Sequence, residues 1–106
     1  VIKVCNEKKI PLVLADPTTA EKGALMALGF DYYLHGRQTA DVVARILKGE
    51  KPGDIPVEFA NKLFLLFNTK VAKDLDLDLT KMKESLDQFV ENMKSQKVEV
   101  TLKLIQ

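Results

Sequence analysis

The chain has 106 residues, which is enough for one compact domain with a modest hydrophobic core. Apolar residues make up 46% and charged residues 29%, an ordinary globular balance that excludes a disordered or collagen-like chain. The formal net charge of +1 gives no indication of a nucleic-acid partner. Cys5 is the single cysteine, so an intrachain disulfide and a cysteine-based metal site are excluded.

A strand and a helix are the first elements predicted along the chain. The run "IPLVLA" (residues 10–15) is apolar and rich in branched side chains, which is typical of a buried strand. Thr18 and Glu21 stand at the spacing of a capping box, and the apolar residues of "AEKGALMAL" (20–28) recur at the helical period. The sequence therefore predicts a helix that ends at Gly29, and a strand–helix order typical of an open α/β sheet.

The middle of the chain predicts another strand and helix. The segment "FDYYL" (30–34) has the composition of a short strand, in which Tyr32 and Tyr33 would point to opposite faces. From Gly36 onward, small apolar residues are spaced along one helical face, and Gly49 is placed to end that helix. A turn in "EKPGD" follows.

The remaining elements complete an α/β fold. Strands are predicted in "IPVEF" (55–59) and "KLFLLF" (62–67), followed by a helix capped by Asn68. An amphipathic helix is predicted over residues 79–93, and residues 97–105 alternate strictly, as in a half-exposed strand that needs a partner edge. The predicted fold class is α/β, with a mainly parallel sheet flanked by helices.

The motifs "KIPLVLAD", "KGALMALGFDYYLHGRQTADVVARILKGEKPGDIPVE" and "LFNTKVAKDLDLDL" follow one another in a long, ordered succession. This succession resembles the C-terminal part of ABC-transporter substrate-binding proteins of the aromatic-amino-acid (tryptophan/tyrosine) type. The resemblance covers residues 9–79, roughly two-thirds of the chain.

The resemblance implies part of a type I periplasmic-binding-protein fold, in which two α/β lobes are joined by three crossing segments and enclose a ligand. Residues 1–79 would supply parts of both lobes and a hinge crossing, and the helix and strand of residues 80–106 are unassigned. A complete family member is more than twice this length. Because the chain also begins with Val1 and without a secretory pattern, we expect a processed chain or a fragment.

Four candidate ligand-binding residues and one candidate hinge follow from the resemblance. Asp16 stands where a strand ends, so its carboxylate could accept a ligand ammonium group, and Thr18 could reach a ligand carboxylate. The alternative is that both residues serve only the turn and the start of the helix. Tyr32 and Tyr33 could stack on an aromatic ligand, or one could pack in the core and the other lie in solvent. Gly36 is the candidate hinge.

Enzyme chemistry has little support in the sequence. His35, the single histidine, lacks a companion nucleophile motif or a second metal-type ligand at helical spacing. No phosphate-binding glycine motif is present. We therefore predict no catalytic residue, no metal and no cofactor.

The predicted function is the solute-binding component of an ABC importer, present as a fragment that binds a small amino-acid-like ligand, possibly aromatic. The expected partner of the full-length protein is an ABC permease, and its expected location is extracytoplasmic, either periplasmic or as a membrane-anchored lipoprotein. We expect the fragment to form a homo-oligomer, because half of a two-lobed protein leaves sheet edges and apolar surface exposed. Two alternatives stay open: an extracytoplasmic ligand-sensing module of a signalling protein, and a ligand-free interaction or assembly domain.

Overall fold

A four-stranded sheet organises the chain in the computed structural model, which describes residues 1–105. The strands are β1 (Val13–Leu14), β2 (Met26–Phe30), β3 (Lys62–Asn68) and β4 (Glu99–Ile105). The helices are α1 (Ile2–Glu7), α2 (Pro17–Ala20), α3 (Tyr32–Leu47), α4 (Thr69–Asp74) and α5 (Leu79–Ser95), with a 3₁₀ turn at Pro52–Asp54. Within residues 1–105, no helix has both the length and the apolar character that a membrane span requires.

The sheet follows the order β1-β2-β3-β4, and two of its three pairings are parallel. Only the central pairing, between β2 and β3, is antiparallel. The predicted α/β class with a mainly parallel sheet is therefore confirmed. β4, the alternating strand predicted near the C-terminus, pairs with the full length of β3, from the Lys62–Glu99 pair to the Asn68–Ile105 pair.

Helices cover the two faces of the sheet unequally. On one face, α4 and α5 pack against Leu65, Phe67 and Val100, and Leu86 is the buried residue of α5. This contact confirms the apolar seam predicted for residues 79–93. The other face carries a smaller cluster, in which Ala20 of α2 and the nearby Ala24 pack against Ala27 and Leu66 of the sheet. The smaller cluster leaves part of that face uncovered.

The predicted helix over residues 20–28 is wrong. α2 ends at Ala20, Gly23 has a left-handed φ of 117°, and residues 26–30 form β2. β2 lies between β1 and β3. A strand with neighbours on both edges and covered faces carries a continuous apolar run, so its spacing can match the helical period by chance.

The predicted strand over residues 30–34 is also wrong. β2 ends at Phe30, and Asp31 caps α3 by accepting a 2.9 Å hydrogen bond from the backbone N–H of Leu34. α3 therefore begins four residues before Gly36. Aromatic residues favour strands only weakly, whereas an aspartate that accepts from the third following amide fixes a helix start.

Residues 32–61, which we call the arm, pack little against the sheet. None of the residues of α3 is buried, and the molecule measures 56 × 28 × 20 Å. Gly49, with a φ of 105°, follows the end of α3 as predicted. The predicted strand at residues 55–59 is wrong: the segment returns irregularly to β3, without a neighbouring strand and with Pro56 lacking an amide donor.

Candidate functional site

A cavity of about 410 Å³ lies where β1 and β2 end, on the sparsely covered face of the sheet. Its volume falls within the range of about 300–1,000 Å³ that small-molecule sites occupy. We call it the strand-end cavity. Its lining residues are Asp16, Pro17, Thr18, Phe30, Asp31, Tyr32, Tyr33, Phe64, Leu66 and Lys103. All four residues predicted to bind ligand, Asp16, Thr18, Tyr32 and Tyr33, lie in this one cavity.

Asp16 forms part of the wall at the end of β1. Its carboxylate caps α2 by accepting hydrogen bonds from the backbone N–H of Thr18 at 3.0 Å and from the Thr18 hydroxyl at 2.8 and 2.9 Å. Thr18 is thus a partner of the cap, not the cap itself. The carboxylate is also exposed, so the capping bonds leave it accessible to a second donor.

Asp31 is the corresponding residue at the end of β2, and it was not among the residues predicted from the sequence to bind ligand. It directly follows β2, whereas Asp16 comes two residues after the end of β1, and each of them caps the next helix. The sequence signal for Asp31 is the order of apolar run, aspartate and helix, and a similar order occurs at Asn68, which ends β3 and caps α4. Because β1 and β2 are parallel, the two aspartates come at the same edge of the sheet.

Aromatic side chains form the apolar part of the strand-end cavity. Phe30 contacts Tyr32 edge to face, with ring centroids 5.0 Å apart. Tyr32 and Tyr33 begin α3 and are 77% and 70% exposed, so they do not divide between core and solvent as the strand interpretation required. The cavity is consequently open to solvent on the side of the tyrosines.

Lys103 brings a positive charge to the cavity from β4. Its Nζ atom lies 3.6 Å from Oε1 of Glu21, an exposed pair. The strand-end cavity thus combines two carboxylates, one ammonium group and several aromatic rings. Such a set is chemically complementary to a zwitterion with an aromatic side chain.

Gly36 and His35 lie outside the strand-end cavity. Gly36 is exposed within α3, and its assignment as a hinge stays a prediction. His35 packs on Phe30, with the two ring centroids 5.1 Å apart. The buried Nδ1 atom of His35 lacks a hydrogen-bond partner. Within residues 1–105, no group of three or more histidine, cysteine, aspartate or glutamate side chains is arranged to hold a metal ion.

The family model of ABC transporter substrate binding proteins matches residues 1–93. The chain belongs to this family. The match is longer at both ends than residues 9–79 and includes most of α5, whereas β4 lies beyond it. The family assignment predicted from the motifs is confirmed.

Individual relatives extend this comparison. The chain is 34% identical over 77 residues to the tyrosine-binding protein of Clostridioides difficile (strain R20291), which covers 73% of this chain and 22% of that protein. A conserved domain protein from Vibrio cholerae O1 biovar El Tor has a solved structure with 33% identity and a TM-score of 0.60, and the match covers 94% of this chain and 30% of that one.

A second solved structure supports the fold. The ABC domain from Streptococcus pneumoniae in complex with L-Trp matches with a TM-score of 0.60 and 23% identity, over 95% of this chain and 32% of that one. At this level of identity, the similarity supports the fold and nothing further. The chain spans between about a fifth and a third of the lengths of these relatives. The predicted fold class, part of a periplasmic-binding-protein fold, is confirmed.

Proposed function

We propose that this chain supplies one side of the ligand site in the solute-binding protein of an ABC importer, and that the ligand is an amino acid with an aromatic side chain. The observation that carries the proposal is the strand-end cavity, which gathers carboxylates and aromatic rings at the ends of β1 and β2. Membership of the substrate-binding family and the tyrosine-binding relative support it.

The chemistry of the cavity suggests how the ligand is held. Asp16 and Asp31 accept hydrogen bonds from the ligand ammonium group, because both carboxylates stand at the same edge of the sheet. The ring of the ligand packs against Phe30, Tyr32 and Tyr33, where offset or edge-to-face contacts are favourable. The Thr18 hydroxyl, which already donates to Asp16, holds that carboxylate in position.

Exposure of the tyrosines favours a two-lobed arrangement. We assign the arm to the first lobe and its root near Gly36 to the hinge, with the sheet of residues 1–79 in the second lobe. The first lobe would close the open side of the cavity and exclude water from the charged contacts, which become stronger when desolvated. α5 covers one face of the sheet of the second lobe, and β4 completes that sheet beside β3.

The remaining steps are non-covalent. Closure around the ligand presents both lobes to an ABC permease, which receives the ligand and moves it across the membrane. This function places the protein outside the cytoplasm, in the periplasm or on a lipid anchor. The proposal assigns binding to the cavity and no catalytic step.

Isothermal titration calorimetry of the complete gene product tests the proposal with L-tyrosine, L-tryptophan, L-phenylalanine and L-leucine. We expect the aromatic amino acids to bind more tightly than L-leucine. Asp16→Asn should weaken binding about tenfold or more, because asparagine still caps a helix but a charge-assisted hydrogen bond is lost.

Asp87→Asn is the matched control, because Asp87 is an exposed acid of α5 outside the cavity. It should leave every dissociation constant unchanged. The proposal is wrong if none of the four amino acids binds, or if Asp16→Asn binds them as tightly as the unmodified protein does.

A further inference from the structure

We propose that Lys103 is the residue that recognises the carboxylate of the ligand and thereby fixes the orientation of a zwitterionic amino acid in the strand-end cavity. This inference rests on the proposed function. It adds a ligand contact from β4, a strand that lies beyond the family match at residues 1–93.

The register of the sheet places Lys103 in the cavity. Lys103 pairs with Leu66 of β3, and Leu66 pairs with Ala27 of β2. Neighbouring strands lie about 4.8 Å apart, so Lys103 stands two strands, or roughly 10 Å, from Ala27, and Asp31 lies four residues beyond Ala27 at the end of β2. Leu66 and Lys103 both line the cavity, so the lysine and the aspartates face the same space from different sides.

The distribution of charge in the cavity favours one orientation of a zwitterionic ligand. Carboxylates stand at the ends of β1 and β2, and the ammonium group of Lys103 stands across the sheet on β4. A zwitterion has two groups of opposite charge on one carbon atom. One orientation pairs both groups with opposite charges, whereas the reverse orientation places like charges together.

Lys103 is available for this contact. Its partner Glu21 lies 3.6 Å away, and both side chains are more than half exposed, so the pair is weak. A ligand carboxylate enclosed by a closing lobe would be better shielded from water than Glu21 is, and its attraction to Lys103 would be stronger. The Glu21 pair keeps the ammonium group near the cavity until ligand arrives.

Calorimetry with two matched probes tests the inference on the complete gene product: L-tyrosine, and tyramine, which lacks the carboxylate. Lys103→Met should weaken L-tyrosine binding about tenfold, because one charged hydrogen bond is lost, and it should not weaken the binding of tyramine, which is a cation without a carboxylate. Lys103→Arg keeps the positive charge and should retain the preference for L-tyrosine. Lys22→Met, at an exposed lysine outside the cavity, is the control and should change neither affinity.

The outcomes separate this inference from the proposed function. If L-tyrosine binds, and Lys103→Met either weakens the binding of both probes equally or weakens the binding of neither, then Lys103 does not recognise the carboxylate. In that case the inference fails and the proposed function stands. If the unmodified protein binds neither L-tyrosine nor any other aromatic amino acid, the proposed function fails and the inference fails with it. Thermal unfolding of Lys103→Met and Lys103→Arg verifies that both variants fold.

Discussion

Gly29 and Gly36 lie seven residues apart and have opposite surroundings. A Cβ atom on Gly29 would overlap the carbonyl oxygen of Ala15 and come within 2.6 Å of the Pro17 side chain. Gly29 thus allows β2 to pass closely beside the turn that carries Asp16. A Cβ atom on Gly36 would meet nothing within 4 Å.

These two positions give a paired prediction about stability. Gly29→Ala should lower the free energy of unfolding by about 1–3 kcal/mol, because the backbone must shift to relieve the overlap. Gly36→Ala should raise it by about 0.5–1 kcal/mol, because alanine is the better residue inside a helix. Urea unfolding of both variants measures the two changes. Equal effects at both positions would contradict the packing described for Gly29.

One simple rule and the family resemblance predicted the candidate residues that line the strand-end cavity. Asp16 was a candidate because ligands collect at the carboxyl ends of strands, and that rule does not depend on the exact bounds of the strand. Asp31 obeys the same rule but was placed inside a predicted strand. Lys103 could not be found, because its place in the cavity depends on the pairing of β4 with β3, far apart in sequence.

Elements were predicted well where periodicity and capping agreed. α4, α5 and β4 each have a clear period or an Asx cap, β3 is a continuous apolar run of strand length, and each of the four lies close to its predicted range. The prediction for residues 20–28 failed because a short apolar run with small side chains matches a helix and a buried strand equally well. The pairing of this segment with β1 and β3 makes it a strand, and the pairing with β3 involves a distant part of the chain.

The arm is held together by an ion pair that predicts a pH effect. Arg45 Nε and Nη2 each donate to the Glu50 carboxylate at 2.7 Å, joining α3 to the segment that follows it. The hydrogen bond from Arg45 holds the pKa of Glu50 below its ordinary value. The pair therefore stabilises the arm above the ordinary glutamate pKa, and this stabilisation is lost as the pH falls through the lowered pKa of Glu50.

Limited proteolysis of the arm measures this effect. With an acid-active protease, cleavage within residues 48–61 should increase as the pH falls below about 4.5. With a second protease that is active at neutral pH, Glu50→Gln should be cleaved faster than the unmodified chain at pH 7, where the ion pair of the unmodified chain is intact. The control Glu84→Gln changes an exposed acid of α5 and should leave the profile unchanged. A profile for Glu50→Gln that matches the unmodified chain would exclude a stabilising pair.

The whole molecule exposes apolar side chains mainly along the arm. Leu47, Val57 and Phe59 are each more than 80% exposed. Val57 also lines one cavity with Ile46 and Ile55, so part of this apolar surface is continuous, and continuous apolar surface marks contacts with other protein surfaces. In the proposed two-lobed protein, the rest of the first lobe covers it.

Self-association is therefore predicted for the 106-residue chain on its own. Light scattering coupled to size-exclusion chromatography should give a mass above 11.9 kDa that increases with concentration. Leu47→Lys combined with Phe59→Lys should shift the chain toward monomer, because charges on an apolar contact oppose its burial. The pair Lys48→Ala and Lys51→Ala is the control, at exposed lysines of the same arm. A monomeric mass at every concentration would contradict the prediction.

Asp31 joins the strand-end cavity to α3, since it lines the one and caps the other. α3 has 16 residues and so extends about 24 Å, and a rotation of about 10° at Asp31 would displace Leu47 by about 4 Å. If the cavity binds as proposed, a small change around the ligand becomes a large displacement at the far end of α3. The linkage is reciprocal: a protein that holds Leu47 in one position changes the affinity for the ligand by the same factor as the ligand changes the affinity for that protein.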